Sequence, residues 1–297
     1  MPNIGFIGLG NMGAPMAANL VESGDHLLGF DVVDAARQAS AQLGVEIAPS
    51  AKAAVETADV VITMLPAGEH VRAVWNQILP AAKRGALFID CSTIDVTSAR
   101  AAHALAAERG VAALDAPVSG GVGGAKAATL TFMVGGAADA FARGKPVLER
   151  MGKRVVHCGD AGNGQAAKIC NNMILGASMI AVSEAFVLGE KLGLSHQALF
   201  DVASASSGQC WSLTSYCPVP GPVPASPANN GYKPGFAAAL MLKDLKLARE
   251  ASEAVHARTA IGAHAAEIYE QFAKAGHSGA DFSGIINLVR EASEKPD

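Results

Sequence analysis

The sequence predicts an α/β domain with a largely parallel sheet, followed by an all-α domain. Three observations carry that expectation. Across the first 160 residues, short apolar runs alternate with helical patterns, as in parallel strands covered on both faces. After residue 164 the strand-like runs stop, and long helical patterns rich in alanine, methionine and leucine take over. Finally, 297 residues, half of them hydrophobic and only 17% charged, suit one large domain or two ordinary ones. The division is placed at 1–162 and 163–297.

The candidate strands, in order, are 4–8, 27–31, 60–65, 87–90, 112–115, 130–134 and 155–158. Helical patterns lie between the early ones at 15–23, 51–57, 71–79 and 98–109. The late pair, 130–134 and 155–158, is placed to extend the sheet with mixed strand direction. The all-α half opens with a long proline-free helical pattern over 165–192, and further patterns follow at 195–205, 237–275 and 282–292. Six prolines between Cys217 and Pro234 exclude helix and a central strand there, leaving a long irregular segment. Such segments are usually functional or disordered.

Composition narrows the function classes. Mean hydropathy is positive, but alanine, about one residue in five, supplies much of it and buries little surface per residue. The longest strongly apolar run, 173–182, is about half of the roughly 20 residues a membrane-spanning helix needs, so no membrane span is expected. Net charge is −4 with no basic run, which argues against a nucleic-acid partner. Five cysteines without a Cys-x-x-Cys pair argue against a disulfide framework or a metal site, and for a reducing compartment. The first strand begins almost at residue 1, so no targeting peptide is expected and the cytoplasm is the expected location.

Gly8-Leu9-Gly10-Asn11-Met12-Gly13 follows the first strand and opens the first helix. In that setting Gly8 permits the tight turn, Gly10 lets backbone approach a pyrophosphate, and Gly13 lets helix and strand pack closely. Free N–H groups at the helix start then face the phosphates. Asp31 ends the second strand, where a carboxylate accepts hydrogen bonds from the adenosine ribose. It also repels a 2′-phosphate, and Val32 and Val33 supply no arginine to bind one. These features specify a Rossmann-type dinucleotide-binding domain with NAD favoured over NADP.

Three further segments carry chemistry. From Asp115 the chain runs through Ala-Pro-Val to Ser119-Gly120-Gly121, then Gly123-Gly124. Such a run can turn several backbone N–H groups toward one anion, and without a Gly-Lys-Ser/Thr ending a small carboxylate suits it better than a nucleoside triphosphate. Gly162-Asn163-Gly164 leads into the long helix, where Lys168 and Asn172 stand four residues apart and share a face. A lysine near a helix N-terminus in apolar surroundings is disfavoured as a cation. General-base work near neutrality requires a fall of about 3 from about 10.4, roughly 4 kcal/mol, which those two effects can supply, although taken alone Lys168 reads better as a structural lysine that snorkels toward solvent. Lys243-Asp244-Leu245 lies in a later helix, where the bland reading is a surface ion pair. His157, in an apolar strand, reads as a satisfied core residue. Trp211 and Phe236 flank the proline-rich segment as core residues or pocket walls.

In this order, the four segments resemble the β-hydroxyacid dehydrogenase family. They are Gly8-x-Gly10-x-x-Gly13, Asp115-Ala-Pro-Val-Ser-Gly-Gly, Gly162-x-Gly-x-x-x-Lys168-x-x-x-Asn172 and Lys243-Asp-Leu. The stretches Ser206-Ser-Gly-Gln-Cys-Trp211, Pro218-Val-Pro-Gly and Ala228-Asn-Asn look like the 3-hydroxyisobutyrate branch rather than the tartronate semialdehyde reductases. The resemblance implies Lys168 as catalytic base and acid. It implies Ser119, Gly120 and Gly121 as the carboxylate site, and Asn172 as the residue orienting substrate. It places Lys243, Leu65, Pro66 and Thr93 against the cofactor; His70 departs from the asparagine some relatives carry nearby. Trp211 and Phe236 are expected to shape specificity toward the substrate methyl group. The implied reaction is NAD-dependent oxidation of 3-hydroxyisobutyrate to methylmalonate semialdehyde, a step of valine (branched-chain amino acid) catabolism, in a homodimer or homotetramer joined through the helical domain. The alternatives are a dehydrogenase for another β-hydroxyacid, such as L-serine or a glycerate or tartronate semialdehyde type, and a non-catalytic NAD-binding module. Family members of the last kind lose the lysine, and Lys168 is present.

Overall fold

The computed structural model describes residues 1–294. The chain divides into two compact units, Met1–Lys168 and the chain from Ile169 onward. In the first, strands β1 (Asn3–Ile7), β2 (His26–Phe30), β3 (Glu46–Ile47), β4 (Val60–Thr63), β5 (Leu87–Asp90) and β6 (Ala112–Asp115) lie side by side in the order β3-β2-β1-β4-β5-β6. All five pairings among them are parallel. Helices α1 (Gly13–Glu22), α2 (Asp34–Gln42), α3 (Ala51–Val55), α4 (Gly68–Ile78) and α5 (Val96–Glu108) make the crossovers. The sheet goes on with β7 (Val118–Ser119), β8 (Leu130–Gly135) and β9 (Gly152–Gly159), joined by α6 (Gly121–Lys126) and α7 (Ala138–Leu148). Strand β8 is antiparallel to β6 and β7 but parallel to β9, the mixed direction expected of the late strands.

Successive strand residues point to opposite faces, and the core follows that alternation. Ile4, Phe6, Ile62, Leu87, Ile89 and Leu114 join one apolar cluster. Ile7, Val61, Phe88 and Ala113 join another. Both faces are therefore covered, which is why these strands read as unbroken apolar runs. Because β1 is flanked by β2 on one side and β4 on the other, the winding reverses at β1–β4. Ligands of open parallel sheets bind beyond the carboxyl ends of the strands at such a reversal.

Helix α8 (Asn163–Lys191) begins in the first unit and continues as the first helix of the second. There follow α9 (His196–Ser204), α10 (Trp211–Thr214), α11 (Ala238–Ala254), α12 (Ala260–Phe272) and α13 (Ile285–Glu294). Their core is Met179, Met241, Leu245, Tyr269, Phe272, Phe282 and neighbours. The proline-rich segment is irregular except for one 3₁₀ turn, Pro227–Asn230, and Cys217 and Val219 within it are buried.

Several expectations need correction. The pattern over 237–275 is two helices: His256 takes a left-handed φ of 56°, and Ala257 N–H reaches back to the Ser252 carbonyl at 2.9 Å. This closure usually employs glycine, so no glycine advertised the break. Strands β3 and β7 have only two residues each, too few to show a period, and α2, α6 and α7 were also not anticipated. His157 is not a core residue: it lies on the exposed part of β9, donates from Nε2 to the Gly136 carbonyl (2.8 Å) and stacks on Phe141. The apolar run 173–182 is only the middle of a longer apolar helix. All of α8 is long and apolar enough to cross a bilayer, with an 18-residue window of mean hydropathy 1.5, yet half of that window is buried inside the protein. The helix also buries Gln165, Lys168, Asn172 and Ser183, as a core helix does.

Candidate active site

The parallel strands of the first unit bring the turn after β1, Asp31, Leu65–Pro66 and Ser92–Thr93 to one edge of the sheet. Gly8 has a φ of +99°, and a side chain on Gly13 would overlap the Gly8 carbonyl. Those two glycines fold the turn and seat α1 on it. At Gly10 nothing lies within 4 Å of where a Cβ would stand, and the residue is exposed. That is an open cradle. The Asp31 carboxylate accepts from the N–H of Leu9 (2.7 Å) and of Val33 (2.8 Å), so the carboxylate also fixes the glycine turn. Arg37, absent from the sequence argument, donates to the Asp31 carbonyl at 2.5 Å and to the Asp34 carboxylate, and lies over the Phe30 ring. An arginine thus stands beside Asp31, supplied by α2 rather than by Val32 or Val33.

Beneath this edge runs a buried polar chain. Asp90 Oδ1 accepts from the hydroxyls of Thr63 (2.7 Å) and Ser92 (2.6 Å), and Trp75 donates to the Thr63 hydroxyl at 3.2 Å. The Ser92 hydroxyl oxygen accepts from Leu65 N–H at 2.8 Å. Burial pushes the Asp90 carboxyl up to about 6, opposed by the bonds from Ser92 and Thr63. Its Oδ2 is buried with no hydrogen-bond partner.

The segment from Asp115 is less loop than expected: Ser119 belongs to β7 and pairs with Thr131. Gly120 and Gly121 have φ of 135° and 62°, conformations that L side chains resist, and they open α6. Asp115 itself is buried. Its carboxylate accepts from Gly162 N–H (2.8 Å) and Gln165 N–H (3.0 Å), and pairs with His103 Nε2 (3.0 Å). It thereby caps α8 from 47 residues away. The Gln165 amide, fully buried, donates to the Ser92 carbonyl at 2.7 Å and accepts from Ile94 N–H at 3.1 Å. Lys168, one turn further along, is only 6% exposed.

In the helical unit, Asn172 is buried and donates to the Asp244 carboxylate at 2.5 Å, and Asn171 donates to the Asn172 side-chain oxygen at 3.0 Å. Asp244 is 3% exposed, so the Lys243-Asp244 pair is not the surface ion pair of the bland reading; Lys243 Nζ lies 3.7 Å from it. A lone carboxylate among apolar helix residues was the available signal. Trp211, 51% exposed, stacks on Tyr216, which stacks on Phe282; Phe236 meets Phe282 edge-on. Asp281, fully buried, anchors this group by accepting from Tyr216 OH (2.9 Å), Gly235 N–H (2.9 Å) and Phe236 N–H (3.1 Å).

Residues 3–159 match the profile described as the NAD binding domain of 6-phosphogluconate dehydrogenase. Residues 162–289 match that described as NAD-binding of NADP-dependent 3-hydroxyisobutyrate dehydrogenase. A solved Mycobacterium tuberculosis 3-hydroxyisobutyrate dehydrogenase with L-serine is 57% identical, with a TM-score of 0.95 over 98% of this chain and 99% of that one. The chain belongs to the 3-hydroxyisobutyrate dehydrogenase family. Two Pseudomonas aeruginosa relatives are similar along their full lengths. A 3-hydroxyisobutyrate dehydrogenase is 48% identical, with 98% of this chain and 99% of the relative covered. An NAD-dependent L-serine dehydrogenase is 47% identical, with 97% and 98% covered. This chain is accordingly an NAD-dependent oxidoreductase of that family. The residues present fit the cofactor: Gly10 leaves the open cradle a pyrophosphate needs, and Asp31 stands at the end of β2 where ribose hydroxyls bind.

Proposed function

We propose that this enzyme oxidises 3-hydroxyisobutyrate to methylmalonate semialdehyde with NAD, as a step of valine catabolism. Residues 1–162 serve as the NAD-binding part and 163–297 as the substrate and assembly part. The observation that carries the reading is Lys168. It is a buried lysine at the start of a helix whose next turn carries Asn172, inside the motif order of this family.

Gly8, Gly10, Asn11, Met12 and Gly13 hold the pyrophosphate, Asp31 the adenosine ribose, and Leu65, Pro66, Thr93 and Lys243 the remainder of the cofactor. When bound, NAD supplies the hydride acceptor. The amides of Ser119, Gly120 and Gly121 hold the substrate carboxylate; positive φ at both glycines supports this, because consecutive glycines can aim N–H groups at one anion. Asn172, braced by Asp244, orients the substrate. Lys168 takes the hydroxyl proton as the C–H electron pair leaves as hydride and the carbonyl forms, and returns it in the reverse reaction. Trp211 and Phe236, fixed through Tyr216, Phe282 and Asp281, form the apolar wall that accepts the methyl group.

Asp31 favours NAD, because its charge opposes a 2′-phosphate and Arg37 is engaged with Asp34. We infer a cytoplasmic homodimer or homotetramer. Ile174 and Leu188 on α8, and Leu192 in the turn just past its end, are 60–72% exposed, and at that spacing the two helical residues share one face. A second reading, L-serine oxidation, is favoured by the L-serine dehydrogenase relative and by the L-serine in the mycobacterial structure; serine replaces the methyl group by an ammonium.

Replacing Lys168 by Ala tests the mechanism. Turnover should fall by about a thousandfold, within the range for a general acid–base group, while NADH binding measured by fluorescence survives. Near-normal turnover would remove Lys168 from the chemistry.

A further inference from the structure

The first turn of α8 is tied to the rest of its unit by two side chains that the proposed chemistry does not use. Gln165 spends both ends of its amide on the backbone on either side of Thr93, donating to the Ser92 carbonyl and accepting from Ile94 N–H. Only one orientation of that amide satisfies both partners. The Ser92 hydroxyl in turn accepts from Leu65 N–H. A single buried amide therefore joins the helix carrying Lys168 to both strand-end loops assigned to the cofactor. Asp115 holds the same turn from the other side, capping Gly162 and Gln165. Glycines give the clearance: a Cβ on Gly164 would meet the Asp115 carboxylate at 2.8 Å, and one on Gly135 would meet Gly164 N at 2.7 Å. No longer side chain fits at either place, so the helix start is seated directly on the strand ends.

We propose that Gln165, with Asp115 behind it, is a positioning residue that sets Lys168 in register with the cofactor loops Leu65–Pro66 and Ser92–Ile94. Rigid seating matters here because the base must meet the hydroxyl proton while the carbon bearing that hydroxyl gives up its hydride, and a displacement of about 1 Å can cost about a hundredfold in rate. The amide does this without a charge. Lys168 is the third residue after it, so the two side chains are about one helical turn apart and move as a body. This proposal rests on Lys168 being the base.

Gln165→Glu tests it with a switch. A protonated carboxyl donates to the Ser92 carbonyl and accepts from Ile94 N–H, as the amide does; an ionised one turns a bare oxygen against the Ser92 carbonyl. Asp115 and His103 also face this turn, and Asp90 lies behind Ser92. The variant is therefore compared with the parent enzyme at each pH, so that their titration cancels. The expected kcat ratio is about one-hundredth at about pH 9 and within about threefold of parity at about pH 6, with the NADH dissociation constant moved less than about threefold throughout. Gln165→Met, close in volume and unable to make either bond, should lose kcat to the same extent at every pH. It decides the matter if the Glu variant does not fold. Wild-type kcat in Gln165→Met, or a Gln165→Glu ratio near one at every pH, would overturn the proposal, as would a loss confined to NADH binding. Lys168→Ala, run alongside, separates the two readings. If it is inactive while the Gln165 variants are unaffected, only the positioning role fails. If it turns over normally, the base itself was misassigned and the clamp has nothing to position.

Discussion

Gly10 and Gly13 lie three residues apart in one turn and should respond in opposite ways to the same methyl group. At Gly13 a Cβ would overlap the Gly8 carbonyl, with the carbonyl carbon at 2.9 Å and the Phe6 ring at 3.2 Å. Ordinary contact begins near 3.4 Å and the carbonyl oxygen lies nearer still than its carbon, so α1 must retreat from β1 by more than about 1 Å at a fully buried seam. Overpacking of that kind costs about 1–3 kcal/mol. In a unit of this size, about 2 kcal/mol lowers the melting temperature by about 4–8 °C. At Gly10 nothing lies within 4 Å and φ is not in the left-handed region. Alanine there should leave stability within about 0.5 kcal/mol, yet it fills the cradle where backbone must approach the pyrophosphate. We expect Gly10→Ala to melt like the parent enzyme and to bind NADH at least tenfold more weakly, about 1.4 kcal/mol. Differential scanning fluorimetry and NADH fluorescence titration on the two variants read both quantities. Parental NADH affinity in Gly10→Ala would refute the cradle, and parental stability in Gly13→Ala would refute the helix–strand seam.

Asp31→Asn removes the charge opposed to a 2′-phosphate while keeping one acceptor for Leu9 N–H, and Arg37 remains beside it. The NADP-to-NAD ratio of kcat/KM should rise by at least about tenfold, or about 1.4 kcal/mol; an unchanged ratio would dismiss Asp31 as the discriminating residue. Asp90 makes stability depend on pH. Burial holds its carboxyl at about 6 against 3.8 for the unperturbed group, so between those values the folded state binds more protons than the unfolded one, and stability falls as pH rises. The loss grows from about pH 4 and is complete above about pH 6, amounting to about 3 kcal/mol. Asp90→Asn should flatten that part of the denaturation-versus-pH curve, and a variant that keeps the parental slope there would contradict the assignment.

The parts of this protein that were legible in the sequence are those governed by local rules. The turn Gly8–Gly13 constrains backbone within six residues, and strands buried on both faces announce themselves as apolar runs. The four motifs also stand in a recognisable order. What escaped was fixed at a distance. The Asp115 cap on α8 spans 47 and 50 residues and the Gln165 clamp 71 and 73. Asn172 meets Asp244 across 72. A side chain bonding to remote backbone leaves no spacing to read, only a polar residue in an apolar setting. Arg37 is the opposite case. It is close in sequence to Asp31, but the turn into α2 decides where its guanidinium lands, and the residues immediately after Asp31 gave no sign of it.

Substrate choice tests the account most directly. The aromatic group of Trp211, Tyr216, Phe236 and Phe282 is anchored by Asp281, and as the proposed pocket wall it would suit a methyl group at the carbon where L-serine carries an ammonium. Steady-state kcat/KM should be measured with NAD for 3-hydroxyisobutyrate, L-serine and glycerate on the same enzyme preparation. 3-Hydroxyisobutyrate should lead L-serine by at least about tenfold, the discrimination of about one well-fitted apolar group. L-serine turned over faster than 3-hydroxyisobutyrate would contradict it.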